Sequence, residues 1–179
     1  VVSYPDHDAI RWLDPGTGAI ADTAAVTAPI SVAVGEDGTV FVLTAGRIVR
    51  LTRANHTLVE VIPATALQYP YRIDVDAEGR IFVAENSVNG HGGNGDLGAA
   101  VQHHQVKTFT AAGNLIRAYG RPEGRADGLY VGSDFLMLDD ITADETGGFY
   151  VAEGVGVPKR GAHIRADGTV AAEWFSANY

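Results

Sequence analysis

A chain of 179 residues has room for one domain with its own core, burying roughly 70% of its unfolded surface without covalent staples. It holds no cysteine, which excludes a disulfide framework, a thiolate metal site and a cysteine nucleophile. Its net charge of -9, from 13 basic and 22 acidic residues, opposes a phosphate-binding face, so nucleic acid is not an expected partner.

No apolar run is long enough to predict a membrane-spanning helix. The chain opens on Val1-Val2-Ser3 with no signal-peptide pattern, which reads as a processed product or a fragment. The 22 glycines, with little helical periodicity between them, predict an all-β chain rich in turns.

In chain order, residues 9–13 predict a strand, 14–18 a turn and 19–23 a returning strand, with 1–4 as the remnant of an earlier hairpin. A second kind of hairpin then occurs three times, at 29–42, 70–85 and 138–153. Its turn glycines align as Gly38, Gly79 and Gly148, and an apolar triplet follows each: Val40-Phe41-Val42, Ile81-Phe82-Val83 and Phe149-Tyr150-Val151. After each copy comes another hairpin, turning at 54–56, 111–113 and 166–168. Four antiparallel strands repeating at about 40 residues have the period of a β-propeller blade. Insertions at 86–104 and 121–137 lengthen the third unit. Trp12, Trp174 and Phe175 are expected between blades, as core.

The expected fold is therefore all-β, a single domain of about three complete blades and a partial one, at 1–28, 29–68, 69–137 and 138–179. One blade alone cannot offset its ordering entropy; stacked neighbours hide its apolar faces. A segment cut from a larger ring is favoured over a small closed one. Such a segment leaves an apolar blade face bare and is expected to self-associate.

Candidate chemistry gathers where the first strand of each unit begins. Ser31, Arg72 and Asp140 occupy one repeat position, and Tyr71 and Asp139 precede two of them. An arginine, a tyrosine and two aspartates at one channel mouth suit a small polar ligand. The alternative is a set of solvated strand ends with an Arg72–Asp140 ion pair. Glu85 and Glu153 end the second strands. They read as an acid–base pair, as calcium ligands, or as acceptors of hydrogen bonds inside their own blades, with Lys159 and Arg160 near Glu153.

His91, His103 and His104 flank or sit in the glycine-rich insertion, beside Asn94 and Asp96. A zinc site needs three or four converging ligands, and adjacent histidines in a strand point to opposite faces, so no metal site is assigned to them. The loop 86–98 carries Asn86, Asn89, Asn94, Asp96 and five glycines. Its oxygen content suits calcium, but it lacks the EF-hand spacing and final glutamate, and a plain surface loop is the favoured reading. No Gly-x-Ser-x-Gly elbow, phosphate loop or dinucleotide fingerprint occurs. Asn55-His56-Thr57 is a glycosylation acceptor sequence in a turn.

The repeat Pro-x-x-Ile-x-Val-Asp-x-x-Gly-x-Ile-Phe-Val-Ala-Glu, followed by a glycine turn and an aromatic-ended strand, resembles the NHL repeat. The resemblance runs over 9–175. It is strongest at 70–85 and weakest at 29–42, where Gly35 stands in place of the usual aspartate. The tail, with Val151-Ala152-Glu153, Pro158-Lys159-Arg160, Gly168 and Glu173-Trp174-Phe175, is similar to NHL-type propellers of large secreted bacterial proteins.

The resemblance implies a ring of six blades in many members. It also implies relatives as diverse as a peptide-amidating lyase, lactonases, strictosidine-synthase-like enzymes and RNA- or protein-binding modules, so fold says little about function. The expectation is a non-catalytic segment of a larger extracytoplasmic protein, binding a protein or a small polar ligand through Tyr71, Arg72, Asp139, Asp140, Glu85 and Glu153. No cofactor is expected, calcium being the one metal considered. The alternative is a propeller enzyme, a lyase or a metal-dependent lactonase, using Arg72, Asp140, Glu85 and Glu153 on a small polar substrate.

Overall fold

The computed structural model describes residues 1–86, 103–125, 129–154 and 159–176. Among these the chain forms four antiparallel sheets, each a simple meander. The first contains β1 (Val2–Tyr4), β2 (Ala9–Leu13) and β3 (Ile20–Ala25). In the second are β4 (Pro29–Val34), β5 (Val40–Thr44), β6 (Arg47–Thr52) and β7 (Thr57–Ile62). The third has β8 (Pro70–Val75), β9 (Ile81–Glu85), β10 (Val106–Phe109) and β11 (Leu115–Tyr119). The fourth has β12 (Leu138–Ala143), β13 (Phe149–Glu153), β14 (Lys159–Ile164) and β15 (Val170–Ser176). The all-β expectation and the four-stranded unit both hold. No helix among the described residues is long and apolar enough to cross a membrane.

The first two apolar triplets, on β5 and β9, owe their continuity to burial on both faces. Along β5, Val40 and Val42 pack back against Ile10, Trp12 and Ala24 of the first sheet. The intervening Phe41 and Leu43 pack forward against Ile73, Val75, Ile81 and Val83 of the third. Along β9, Ile81 and Val83 face back in the same way, while Phe82 and Ala84 face forward onto Leu138, Ile141, Phe149 and Val151. Three cores thus alternate with four sheets.

Hydrogen bonds between the first strands tie neighbouring sheets together. Ile73 N–H donates to Ser31 Oγ at 3.2 Å, and Asp74 Oδ2 accepts from Ala143 N–H at 2.8 Å and Thr142 Oγ1 at 2.9 Å. Ser31, Arg72 and Asp140 therefore stand at one level on three adjoining strands.

Two expectations need correction. The left-handed turn position of the third hairpin is Gly147, at φ +85°, matching Gly38 at +81° and Gly79 at +76°. Gly148 comes one residue later, and its carbonyl accepts from Asp144 N–H as those of Thr39 and Arg80 accept from Gly35 and Asp76. A Gly-Gly pair hides which member takes the positive φ. Secondly, Trp12 is core, but Trp174 and Phe175 are 54% and 53% exposed. They lie on β15, at the edge of the last sheet, beyond which no further sheet is stacked among the described residues.

Candidate functional site

Each of β4, β8 and β12 begins in the same irregular way. The residue before the strand takes a left-handed conformation although it is not glycine: Ala28 at φ 45°, Tyr69 at 54° and Met137 at 55°. Such a conformation costs on the order of 1–2 kcal/mol for an L-residue. The strand then bulges. Pro29 pairs with Thr44 and Ser31 with Leu43, skipping Ile30; Pro70 pairs with Glu85 and Arg72 with Ala84, skipping Tyr71; Leu138 pairs with Glu153 and Asp140 with Ala152, skipping Asp139. A bulge leaves one residue out of the ladder and re-aims its side chain. Ile30, Tyr71 and Asp139 are those residues.

The side chain ending each second strand holds this entry in place. Thr44 Oγ1 donates to Thr27 O. Glu85 Oε1 accepts from Gln68 N–H at 2.6 Å, and Glu153 Oε1 from Leu136 N–H at 3.0 Å. Both carboxylates are buried and carry cationic partners. Lys107 Nζ lies 2.9 Å from Glu85 Oε1. Arg160 Nη1 lies 3.2 Å from Glu153 Oε1, and Arg125 Nη2 bonds Glu153 Oε2. Next to Glu85, Asn86 Nδ2 donates to Leu138 O at 2.8 Å, joining the third sheet to the entry of the fourth.

Tyr71 and Arg72 form one unit. The guanidinium carbon lies 3.9 Å from the Tyr71 ring centroid, Nη1 donates to Tyr71 O at 3.0 Å and Nη2 to the phenol oxygen at 3.1 Å. The guanidinium packs on this tyrosine, and no Arg72–Asp140 ion pair forms. Asp140 is exposed and accepts from Ile141 N–H at 3.0 Å. Asp139 sits where only glycine fits opposite: a Cβ on Gly154 would lie 1.9 Å from Asp139 Oδ2. Its Oδ1 is buried without a hydrogen-bond partner among the described residues.

The histidines divide. His104 is fully buried, and its Nδ1 accepts from Met137 N–H at 3.1 Å, holding the left-handed residue that precedes β12. That bond requires a bare Nδ1, so the neutral ring carries its proton on Nε2, which has no hydrogen-bond partner among the described residues. Burial, with His103 adding to it, pushes the His104 pKa down to about 4. His103 is not in a strand; its ring lies 6.1 Å from that of Tyr69. Among the described residues no three His, Cys, Asp or Glu side chains are placed to hold a metal ion. His91, Asn89, Asn94 and Asp96, on which the zinc and calcium readings turned, lie outside the described residues.

Sequence reasoning missed a polar cluster, centred on the buried Arg160, that anchors the insertion before β12. Arg160, 3% exposed, donates through Nη1 to Asp134 O at 3.2 Å and through Nη2 to Gly132 O, and its Nε lies 2.8 Å from Glu173 Oε1. Tyr130 O–H donates to Glu173 Oε1; burial and that carboxylate push the phenol up to about 12. The pairing of Glu153 with Arg160 across β13 and β14 was within reach, but Arg125, Tyr130 and Glu173 come from distant points in the chain.

No protein-family model matches the chain, and no curated protein matches its sequence. Solved structures do. The chain is similar to a streptogramin B lyase, with a TM-score of 0.60 and 18% identity, over 94% of this chain and 48% of that one. It is also similar to a gluconolactonase-like protein, with a TM-score of 0.50 and 10% identity, over 78% of this chain and 46% of that one. The chain spans about half the length of each. With four stacked meander sheets and these neighbours, the fold is that of β-propeller blades.

Proposed function

We propose that the chain is an NHL-type propeller segment, part of a larger extracytoplasmic protein, that binds a small polar ligand or a protein loop on the rim where β4, β8 and β12 begin, without catalysis. The observation that carries this reading is the repeated entry. Three strands share one frame of left-handed residue, bulge and strand-end clamp, while the side chains set on it differ: Ile30-Ser31, Tyr71-Arg72 and Asp139-Asp140. A frame kept three times, with its displayed residues changed each time, favours recognition. Glu85 and Glu153 serve the frame, since their charges are buried and engaged with cations. Tyr71, Arg72, Asp139 and Asp140 would meet the ligand, pairing a cation on an aromatic face with two carboxylates. A zwitterion or a polar loop bearing both charges has matching chemistry.

The test is titration with free amino acids and short charged peptides, followed by amide chemical shifts. Saturable shifts centred on residues 69–72 and 138–141, weakened at least tenfold in Arg72→Ala and Asp139→Asn, are expected. Shifts confined elsewhere, or none at millimolar probe, would overturn the rim assignment. Turnover of a probe, seen as new product resonances, would replace binding by lyase or lactonase chemistry.

A further inference from the structure

The second and fourth sheets carry one cluster at the same repeat positions, and among the described residues the chain covers it in only one of them. In the fourth sheet Glu153 pairs with Arg160, Val151 with Ala162, and Ala162 with Glu173. In the second, Thr44 pairs with Arg47, Val42 with Val49, and Val49 with Glu60. Arg47 is therefore the counterpart of Arg160, Glu60 of Glu173 and Thr44 of Glu153. By the same register Leu58, opposite Leu51, is the counterpart of Val170, opposite Ile164.

The two sheets differ in the connection that enters each. Segment 130–134, on the way into β12, lies over the fourth sheet's cluster. Arg160 donates to the carbonyls of Gly132 and Asp134, and the Tyr130 hydroxyl donates to Glu173 Oε1. The Tyr130 ring centroid lies 5.8 Å from the Arg160 guanidinium. Gly132 packs directly on the floor: a Cβ there would lie 3.1 Å from Glu173 Oε1 and 3.2 Å from Val170 Cγ2. The third sheet uses the same device in simpler form, with Lys107 Nζ donating to Ala66 O of the connection 63–69 at 3.2 Å. Into β4 the connection is residues 26–28 alone. Its Thr27 carbonyl is taken by Thr44 Oγ1, and among the described residues no carbonyl meets the Arg47 guanidinium.

Arg47 meets Glu60 instead, at 3.4 Å, with side chains 50% and 48% exposed, whereas the Arg160 side chain is fully buried. Beside this pair lies a cavity of about 260 Å³, bounded by Thr27, Thr44, Val49 and Leu58. It is smaller than the roughly 300–1,000 Å³ of sites for drug-sized ligands, and suits one side chain with its flanking peptide groups. The charges of Arg47 and Glu60 cancel, so an uncharged occupant covers them without leaving a charge unpaired. The planar fork of an arginine can meet two acceptor oxygens at once, as Arg160 does.

We propose that this cavity binds a loop of a partner protein with the spacing Tyr-x-Gly, its tyrosine hydroxyl on Glu60, its glycine against Leu58 and its main-chain carbonyls on Arg47. The occupant's chemistry follows from segment 130–134, which the counterpart positions hold in the fourth sheet. The site uses none of Tyr71, Arg72, Asp139 and Asp140, and so is independent of ligand binding at the rim.

The probe is the capped, uncharged peptide acetyl-Tyr-Val-Gly-Ser-amide, which has the sequence of residues 130–133, titrated into the chain and followed by amide chemical shifts. Saturable shifts centred on residues 26–28, 44–49 and 58–60 are expected at millimolar peptide. Arg47→Leu and Glu60→Gln should each weaken binding about fivefold or more, the loss of one hydrogen-bonded contact. Both side chains are half exposed, so unchanged urea midpoints in the variants keep lost binding apart from misfolding. Alanine in place of the peptide's glycine, or phenylalanine in place of its tyrosine, should weaken binding by a similar factor. An absence of saturable shifts, shifts centred elsewhere, or undiminished binding in either chain variant or of either altered peptide would overturn the proposal.

Discussion

His104 is a residue whose role lies in what it accepts. Its bare Nδ1 takes the amide hydrogen of Met137, a residue held at φ 55°, and protonation would remove that acceptor. The folded pKa of about 4 lies below the ordinary value of 6.5, so between these two pH values the unfolded chain binds a proton that the folded chain refuses. Stability contributed by this group is full above pH 6.5, falls as pH drops towards 4, and changes no further below that. The span corresponds to about 3 kcal/mol. Asp144 acts in a lower window. Burial raises its pKa, but hydrogen bonds from His163, Thr146 and Gly148 outweigh that and leave it at about 2, so its contribution is lost between pH 3.8 and 2. Urea midpoints measured from pH 7 to pH 4 should therefore decline in the parent chain. His104→Asn, which keeps an acceptor oxygen and does not titrate, should flatten that decline; an unchanged slope would remove His104 as its source. The sequence marked His104 only as a metal-ligand candidate; its role as an acceptor was not legible, because its partner is 33 positions away. Glu85 and Glu153 were legible as strand-end carboxylates, yet Arg125, which bonds Glu153, is 28 positions away, and no local pattern links them.

At the scale of the element, the hairpin between β12 and β13 shows what pattern alone resolves and what it does not. That a turn lies there, with five residues between apolar strands, was readable from Asp144-Glu145-Thr146-Gly147-Gly148. Which glycine turns the chain was not, since either satisfies the composition. The two glycines serve different needs. Gly147 supplies a positive φ, and the nearest atoms to a Cβ there are side-chain ones, the Arg80 guanidinium at 2.7 Å, which Asp76 and Glu78 hold. Gly148 has an ordinary φ, but a Cβ there would lie 2.4 Å from the backbone carbonyl oxygen of Ile164. Gly38, with φ +81°, has nothing within 4 Å of such a Cβ. Gly38→Ala should then cost about 1 kcal/mol from backbone conformation alone, and Gly147→Ala that amount plus the displacement of the Arg80 guanidinium, about 1–2 kcal/mol in all. Gly148→Ala should cost about 3 kcal/mol, because backbone of β14 must move. Chemical denaturation of the three variants gives the ranking, and equal losses would mean that the turn relaxes around either methyl. The bulges at Ile30, Tyr71 and Asp139 were illegible for a related reason: a sequence alternates by two, and one unpaired residue is visible only against its partner strand.

Across the whole molecule, the same residue position changes its energetic meaning with its neighbours. Phe82 and Tyr150 are equivalent in the repeat, each the middle of its apolar triplet. Phe82 is fully buried between the third and fourth sheets, within 6.0 Å of Phe149. Tyr150 is 40% exposed because, among the described residues, no sheet lies on its side. In a stacked array stability is the sum of what each sheet has by itself and what it shares with its neighbours. Phe82→Ala removes a shared term and leaves a cavity, so it should cost about 3–5 kcal/mol at any protein concentration. Tyr150→Ala removes only contacts within its own sheet and should cost about 0.5 kcal/mol or less in dilute solution. If the expected self-association covers the face, that cost must grow with concentration, because association stabilises only the folded chain. Urea titrations of both variants at two widely separated concentrations distinguish the cases. A concentration-dependent loss in Tyr150→Ala beside a constant one in Phe82→Ala identifies Tyr150 as an interface residue. Equal and constant losses would mean that the two positions are already equivalent within a single chain.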